Sequence, residues 1–149
     1  MKIERTSSQN PAFQGLVELL DSYLAEIDGD ENKFYAQFNT TATLDNCLVL
    51  YDNGVAVGCG AIREMDNQAF EIKRMFVHPT ARGNGFGKAI VKALEDWARE
   101  LGVTRCLLET GKRMPDAVAL YKKLGYTQIE NYEPYVGVEN SVCFEKPIC

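Results

Sequence analysis

The chain has 149 residues, of which 46% are hydrophobic and 25% are charged, and its formal net charge is -5 at pH 7. This composition is typical of an ordinary globular protein, so we expect residues 1–149 to form a single domain around one hydrophobic core. The net negative charge argues against a general nucleic-acid binder, which needs a basic surface, and it suits a cationic substrate.

The sequence also argues against secretion and membrane insertion. Residues 1–5 lack the apolar stretch of a signal peptide, and no run approaches the roughly 18 apolar residues of a membrane span. The five cysteines form an odd set without a C-x-x-C pair, which argues against a disulfide framework and against a zinc site. We therefore predict a cytoplasmic protein without a metal, whose cysteines are small buried hydrophobes.

The N-terminal third begins with a helix signal. Asn10 supplies a capping side chain, Pro11 suits the first helical turn, and apolar residues follow at helical spacing. These features predict a helix from about residue 11 to 27. The polar stretch at 28–31 interrupts it, and 33–38 is predicted to form a further short helix.

The middle of the chain carries a hairpin followed by a third strand. Residues 47–51 and 55–61 are apolar runs joined by an Asn53-Gly54 step, which favours the left-handed conformations of a tight turn. The third predicted strand covers 69–77. We expect the single histidine, His78, which follows this strand, to be structural or exposed to solvent.

A helix, a strand, a second helix and one or two closing strands complete the prediction. The first of these helices has an apolar face, whereas the following residues are expected to lie mostly towards water: Lys88, Lys92, Glu95, Asp96, Arg99 and Glu100. The strand is predicted at 103–109 and the second helix at 115–124. A strand–helix–strand crossover in a mostly antiparallel sheet indicates a mixed α/β or α+β fold.

Residues 82–88 read Arg-Gly-Asn-Gly-Phe-Gly-Lys and lie between a predicted strand and a predicted helix. Backbone N–H groups and the helix dipole favour an anion at such a junction, and glycines let the backbone approach a diphosphate closely. The spacing matches neither the dinucleotide fingerprint nor the Walker A motif. By itself the segment is also compatible with a simple tight turn.

Two motifs resemble those of the GNAT superfamily of N-acetyltransferases. Residues 82–87 match [QR]-x-x-G-x-[GA], and 120–126, Leu-Tyr-Lys-Lys-Leu-Gly-Tyr, match Leu-Tyr-x-x-x-Gly-[FY]. The resemblance covers 71–125 well and the N-terminal third only in its order of elements. It implies a central, mostly antiparallel mixed sheet with splayed strands flanked by helices, and direct transfer of an acetyl group from acetyl-coenzyme A to an amine.

The resemblance also implies where coenzyme A binds. Its pyrophosphate is expected on the turn and its pantetheine along the edge of the third strand. The residues expected to contact it are Met75, Phe76, Val77, Arg82, Gly83, Asn84, Gly85, Phe86, Gly87 and Lys88. Many members carry an asparagine seven residues before the motif tyrosine, whereas this chain has Met114 there.

Amine acetylation calls for a base that removes a proton from the ammonium and an acid that protonates the departing thiolate. Tyr121, at the motif position, is the expected acid, although a tyrosine packed in the core would fit the pattern too. Glu71 is the expected base, or else a cross-strand partner of Lys73, Arg74 or a neighbour. Glu109 is the second choice of base.

The acceptor, an amine of a small molecule or peptide, stays open among a polyamine, an aminoglycoside, an amino acid, a small aromatic amine and a protein N-terminus. Acidic residues in the N-terminal third are candidates for an ammonium pocket, namely Asp21, Asp28, Asp30 and Glu31. Two alternatives to an acetyltransferase remain: a non-catalytic sensor that binds acyl-coenzyme A, and a transferase with another acyl donor. A homodimer is one open arrangement, because dimers are the commonest soluble assembly.

Overall fold

The computed structural model describes residues 1–29, 44–65 and 68–148. The described helices are α1 (Pro11–Asp28), α2 (Phe86–Glu100) and α3 (Pro115–Lys123), which confirm the three long predicted helices. The short helix predicted at 33–38 lies outside the described residues. None of the described helices is both long and apolar enough to cross a membrane.

Seven described strands form one sheet in the order β1-β2-β3-β4-β5-β7-β6. Their bounds are β1 (Lys2–Thr6), β2 (Asn46–Asp52), β3 (Val55–Glu64), β4 (Ala69–Val77), β5 (Arg105–Gly111), β6 (Thr127–Ile129) and β7 (Ser141–Pro147). Among these described strands, only β4 and β5 pair in parallel, across the α2 crossover. The sheet is therefore mixed and mostly antiparallel, as the resemblance implied.

The β2–β3 turn carries a strong local sequence signal, whereas strand β1 carries a weak one. The β2–β3 turn has Asn53 at φ 51 and Gly54 at φ 81, so the left-handed hairpin turn is confirmed. Strand β1 was not predicted, because Ile3 is its only aliphatic residue. Antiparallel pairing with β2, from Lys2 opposite Tyr51 to Thr6 opposite Cys47, supplies the hydrogen bonds that stabilise it.

Helices α1 and α2 cover opposite faces of the sheet. The Asn10 side chain caps α1 by accepting a hydrogen bond from the Ala12 N–H at 2.8 Å. The buried face of α1, Phe13, Leu16, Val17 and Leu20, packs on side chains of β2 and β3 in one cluster. Helix α2 buries Ile90 and Leu94 in the other cluster.

The face of α2 corrects one sequence expectation. Glu95 was expected towards water, but it is only 4% exposed. The Tyr126 hydroxyl donates a hydrogen bond to Glu95 at 2.7 Å, and the Lys146 ammonium lies 3.1 Å from the same carboxylate. Both partners lie far along the chain, after α3 and on β7, so the helix pattern alone did not reveal them.

Four cysteines, Cys47, Cys59, Cys106 and Cys143, are buried and unbridged, as expected of small hydrophobes. Burial raises the pKa of the Cys47, Cys59 and Cys106 thiols to about 12 and that of Cys143 to about 11. These thiols are therefore protonated at neutral pH. Cys149 lies outside the described residues.

A bulge in β4 separates two halves of the sheet. Ala61 pairs with Lys73 and Cys59 with Phe76, so Gly60 lies opposite two residues, Arg74 and Met75. Strand β4 pairs with β5 only from Ala69 to Glu71, just before this bulge. Beyond that point the two parallel strands splay apart, and a gap opens between them.

Gly60 lets α2 pack directly over the bulge. A Cβ added there would lie 2.7 Å from the Met75 Sδ, 2.9 Å from the Ile90 Cγ2 and 3.0 Å from a Leu94 methyl. Even one methyl group would therefore require the closely packed side chains of Met75, Ile90 and Leu94 to shift.

We expect Gly60→Ala to lower the free energy of unfolding by about 1–3 kcal/mol, the usual cost of overpacking. Gly15→Ala is the matched control, because Gly15 lies on the exposed side of α1 with open space around it. The control should gain roughly 0.5–1 kcal/mol from helix propensity. Urea denaturation measures both, and equal effects of the two substitutions would contradict the close-packing argument.

Candidate active site

The gap between β4 and β5 contains two cavities that meet. The turn cavity, of about 430 Å³, is lined by the end of β4, the glycine turn and the start of α3. The inner cavity, of about 140 Å³, lies deeper, between α1, β4 and β5. The two share the side chains of Leu20, Met75, Met114, Ala117 and Tyr121. A ligand in one cavity can thus reach a ligand in the other.

All of the predicted cofactor residues except Asn84 line the turn cavity. Asn84 instead donates a hydrogen bond to the Ala81 carbonyl at 2.8 Å and so holds the turn in shape. Gly83 and Gly85 have φ values of 83° and 78°, in the left-handed region that glycine adopts readily. His78 caps the 3₁₀ turn Pro79–Ala81 through its ring nitrogen, as its structural interpretation predicted.

Helix α2 begins at this turn without a capping side chain. The N–H groups of its first turn therefore have no intrahelical or side-chain acceptor, and the helix dipole adds a partial positive charge there. Lys88 in the first turn contributes a full positive charge beside the cavity. This end of the cavity is suited to an anion such as a diphosphate.

The edge of β4 forms another wall of the turn cavity. Phe76 and Val77 pair with β3 on one side, while the pairing with β5 has already ended at Glu71. The free edge can accept an extended, amide-bearing ligand in the manner of an added strand. Arg82 braces this wall, because its Nε donates to the Val77 carbonyl at 2.9 Å and its guanidinium lies over the Phe76 ring.

Tyr121 stands where the two cavities join, and it is 7% exposed. Its ring packs edge-on against Tyr126, with the ring centroids 5.9 Å apart. Burial raises the pKa of the Tyr121 phenol above its usual value, so the group is protonated at neutral pH. Within the described parts of the chain, no group hydrogen-bonds to its hydroxyl.

Glu109 lies in the inner cavity near the end of β5. Burial is the largest cause of a rise in the pKa of its carboxyl group to about 7, and the negative charges of Glu71 and Asp28 contribute to that rise. The Ser141 side chain opposes this rise through a hydrogen bond to the carboxylate. Glu109 is therefore divided between its two protonation states near neutral pH.

Glu71 lies in the same cavity but in a different setting. It is 2% exposed, and its carboxylate accepts hydrogen bonds from Arg63 at 2.9 Å and from the Tyr132 hydroxyl at 2.8 Å. Arg63 lies directly opposite Glu71 on β3, and the ammonium of Lys73, on the same strand as Glu71, lies 3.7 Å away, so the charge pairing that the sequence offered as an alternative is present. Two cations and a phenol thus hold this carboxylate.

Sequence reasoning missed Tyr132 and the position of Arg74 in the lining of the inner cavity. Tyr132 lies 61 residues from Glu71 along the chain, in the loop before β7, and no local pattern links the two. Arg74 pairs with Asp21 across the α1–β4 interface. Of the acidic residues considered for an ammonium pocket, Asp28 lines the inner cavity.

The other two acidic candidates, Asp30 and Glu31, lie outside the described residues. In residues 1–29, 44–65 and 68–148, no group of three or more His, Cys, Asp or Glu side chains is placed to hold a metal ion.

Comparison with known proteins agrees with this architecture. The model of the Acetyltransferase (GNAT) family matches residues 13–126. An IAA acetyltransferase from Azospirillum brasilense is 38% identical over 148 residues, which cover 98% of this chain and 97% of that protein.

Solved structures show the same fold. A Klebsiella pneumoniae protein assigned to the acyl-CoA N-acyltransferases is 31% identical, with a TM-score of 0.83 over 99% of this chain and 97% of that one. An aminoglycoside 6'-N-acetyltransferase complexed with coenzyme A has a TM-score of 0.70 at 19% identity, over 100% of this chain and 98% of that one. The family match covers well over half of the sequence, and the chain belongs to the GNAT acetyltransferase family.

Proposed function

We propose that this protein transfers an acetyl group from acetyl-coenzyme A directly to the amine of a small molecule, inside the gap between β4 and β5. The observation that carries the proposal is the meeting of the two cavities at Met75 and Tyr121. One cavity suits a long, anionic, amide-bearing donor. The other is small, is lined by ionisable groups and suits a compact acceptor.

The turn cavity has the features that coenzyme A requires. The uncapped start of α2 and Lys88 suit its pyrophosphate, and the free edge of Met75 to Val77 suits the amides of its pantetheine. A thioester carbonyl that lies along this edge would meet a backbone N–H, which stabilises the oxyanion during attack. Direct transfer is supported because the described cysteines are buried thiols rather than activated thiolates.

Tyr121 is the proposed acid. Its raised pKa keeps the proton on the phenol, and its position at the junction puts it where the thiolate would leave. The hydroxyl has no hydrogen-bond partner in the part of the chain that the structure describes, so it is available to the departing sulfur. A purely structural role for the hydroxyl lacks the hydrogen bond on which it would depend.

Two observations support Glu109 as the base in preference to Glu71. The pKa of Glu109 is about 7, the value at which a carboxylate both exists and accepts protons effectively near neutral pH. Glu71 is already engaged by Arg63, Tyr132 and Lys73. Glu71 would then organise the cavity. It remains the alternative base, and a comparison of Glu109→Gln with Glu71→Gln tests which of the two is the base.

The turn is tested by Gly85→Val. A β-branched residue at φ 78 is strained, so the turn must change shape and its N–H groups lose their convergence. We expect the affinity for coenzyme A, measured by calorimetry, to fall by about 10- to 100-fold. Gly54→Val is the matched control, since Gly54 has φ 81 and open space but lies in the β2–β3 hairpin. Equal affinities of the two variants would refute the assignment.

The acid is tested by Tyr121→Phe, which keeps the ring and removes the hydroxyl. We expect kcat to fall about 10²- to 10⁴-fold, with little change in coenzyme A affinity or melting temperature. The measurement is steady release of thiol from acetyl-coenzyme A in the presence of an amine panel. A fully active variant would eliminate the acid role.

The same assay tests the enzyme itself. Wild-type protein that binds coenzyme A but releases no thiol with any amine would support the sensor alternative. A panel of longer acyl donors in place of acetyl-coenzyme A would test the acetyl assignment.

The base is tested by the pH profile of kcat/KM. If Glu109 must lose its proton, kcat/KM rises with pH through about 7, which gives the profile a pH-dependent limb. In Glu109→Gln this limb should be absent and the rate should be about 10²- to 10⁴-fold lower. If Glu71 is the base, Glu71→Gln rather than Glu109→Gln removes the pH-dependent limb.

Stability provides an independent readout for Glu109. The pKa of Glu109 is about 7 in the folded state and 4.5 in the unfolded chain, so the folded state binds the carboxyl proton more tightly. Wild-type stability therefore falls as pH rises from 4.5 to about 7. Glu109→Gln lacks that loss. The unfolding free energy of the variant minus that of wild type should therefore be larger at pH 8 than at pH 4. This measurement distinguishes a loss of catalysis from a loss of folding.

A further inference from the structure

The ion pair of Arg74 with Asp21 does not explain why this residue is buried or why its backbone is strained. It adopts φ 57 inside the β4 bulge, a conformation that costs free energy for any residue but glycine. Its side chain is only 1% exposed and lines the inner cavity. Strain of this kind persists where surrounding structure enforces it and is concentrated at functional sites.

The guanidinium has more hydrogen-bonding capacity than its known partner uses. Its Nη2 pairs with the Asp21 carboxylate on α1, and that side chain is 54% exposed. A guanidinium carries five N–H donors, and the buried Nε of Arg74 has no hydrogen-bond partner in the structure as described. A buried donor without an acceptor is costly, so a ligand that supplies oxygen atoms would be bound favourably.

The charges around the inner cavity have both signs. Glu109 and Asp28 are acidic, whereas Arg74 and Lys73 are basic. Lys73 already lies beside Glu71, which leaves Arg74 as the cation best able to take a further anion. A cavity with an acidic and a basic group fits a molecule that carries an amine and a carboxylate.

We propose that Arg74 binds the carboxylate of the acceptor, and that the acceptor is therefore a small amino acid. This inference rests on the proposed acetyltransferase function, with the amine directed to Glu109. Guanidinium and carboxylate match as a planar, often bidentate pair, which orients the substrate as well as holding it. The cavity volume of about 140 Å³ suits a compact molecule, and its aliphatic lining, Leu20, Leu24 and Met75, suits an apolar side chain.

The test compares amino acids with the amines that result from removing their carboxyl group. The pairs are L-phenylalanine with 2-phenylethylamine, L-leucine with 3-methylbutylamine, and L-methionine with 3-(methylthio)propylamine, each at pH 8 with acetyl-coenzyme A. We expect wild-type kcat/KM to favour the acid by about 10²-fold or more, because a site built to hydrogen-bond a substrate group rejects analogues that lack it.

Arg74→Gln should lower kcat/KM for the preferred acid by about 10²-fold, mainly through KM, because ground-state binding is lost. The same substitution should leave the corresponding amine within about threefold. Arg74→Lys keeps the positive charge without the planar guanidinium, so its kcat/KM for the preferred acid should lie between those of wild type and Arg74→Gln. Calorimetry with coenzyme A checks whether Arg74→Gln is folded. If it is not folded, Arg74→Lys takes its place in the test.

Asp21→Asn is the matched control for a purely structural role. It removes the ion pair to α1 but keeps the cavity cation. If Arg74 only anchors α1, Asp21→Asn reproduces the kinetic defects of Arg74→Gln. If Arg74 binds the carboxylate, Asp21→Asn retains the preference for the acid.

Three results would overturn the inference: amines used as well as acids, a preference that survives in Arg74→Gln, or no turnover of any panel member. In the last case, turnover of another amine would leave the transferase function standing and refute only the amino-acid acceptor. Absence of turnover with every amine, in a protein that binds coenzyme A, would instead refute the proposed function.

Discussion

Helix α2 packs directly over Gly60, and this close contact shapes the sheet around the candidate site. Because Gly60 has no side chain, Ile90 and Leu94 of α2 pack closely over it, at the place where it lies opposite Arg74 and Met75 of the bulge. The bulge bends β4 after its short parallel pairing with β5. The gap, the free strand edge and both cavities follow from that single divergence.

The buried charges fall into two kinds that serve different purposes. Glu95 is engaged by Tyr126 and Lys146, and it ties α2 to the C-terminal part of the chain. Glu109 has a weaker set of partners, and burial therefore dominates its pKa. A satisfied carboxylate fixes the fold, whereas a poorly compensated one is poised to exchange a proton.

Burial also separates the proposed acid from the proposed base. It raises the pKa values of both Tyr121 and Glu109, but from different starting points. The phenol becomes a group that keeps its proton, while the carboxyl group becomes one that gains and loses it near pH 7. One dry environment thus supports opposite tasks at two positions, since the intrinsic chemistry of the side chains differs.

Local sequence signals predicted most of the helices and strands and the glycine turn. Asn10-Pro11, Asn53-Gly54 and the glycines of 82–88 act through local backbone preferences, which operate wherever the chain lies, so α1, the hairpin and the start of α2 were predictable. The motif tyrosine, Tyr121, followed from a resemblance between short segments.

The remaining features depend on contacts between segments that are distant in the sequence. Strand β1 exists because β2 pairs with it, and Glu95 is buried because residues 31 and 51 positions away supply its partners. The same holds for the inner cavity, where Tyr132 engages Glu71 and Arg74 reaches Asp21. Burial and charge pairing are properties of the assembled fold, and so the pKa of Glu109 and the setting of Arg74 had no signal in the local sequence pattern.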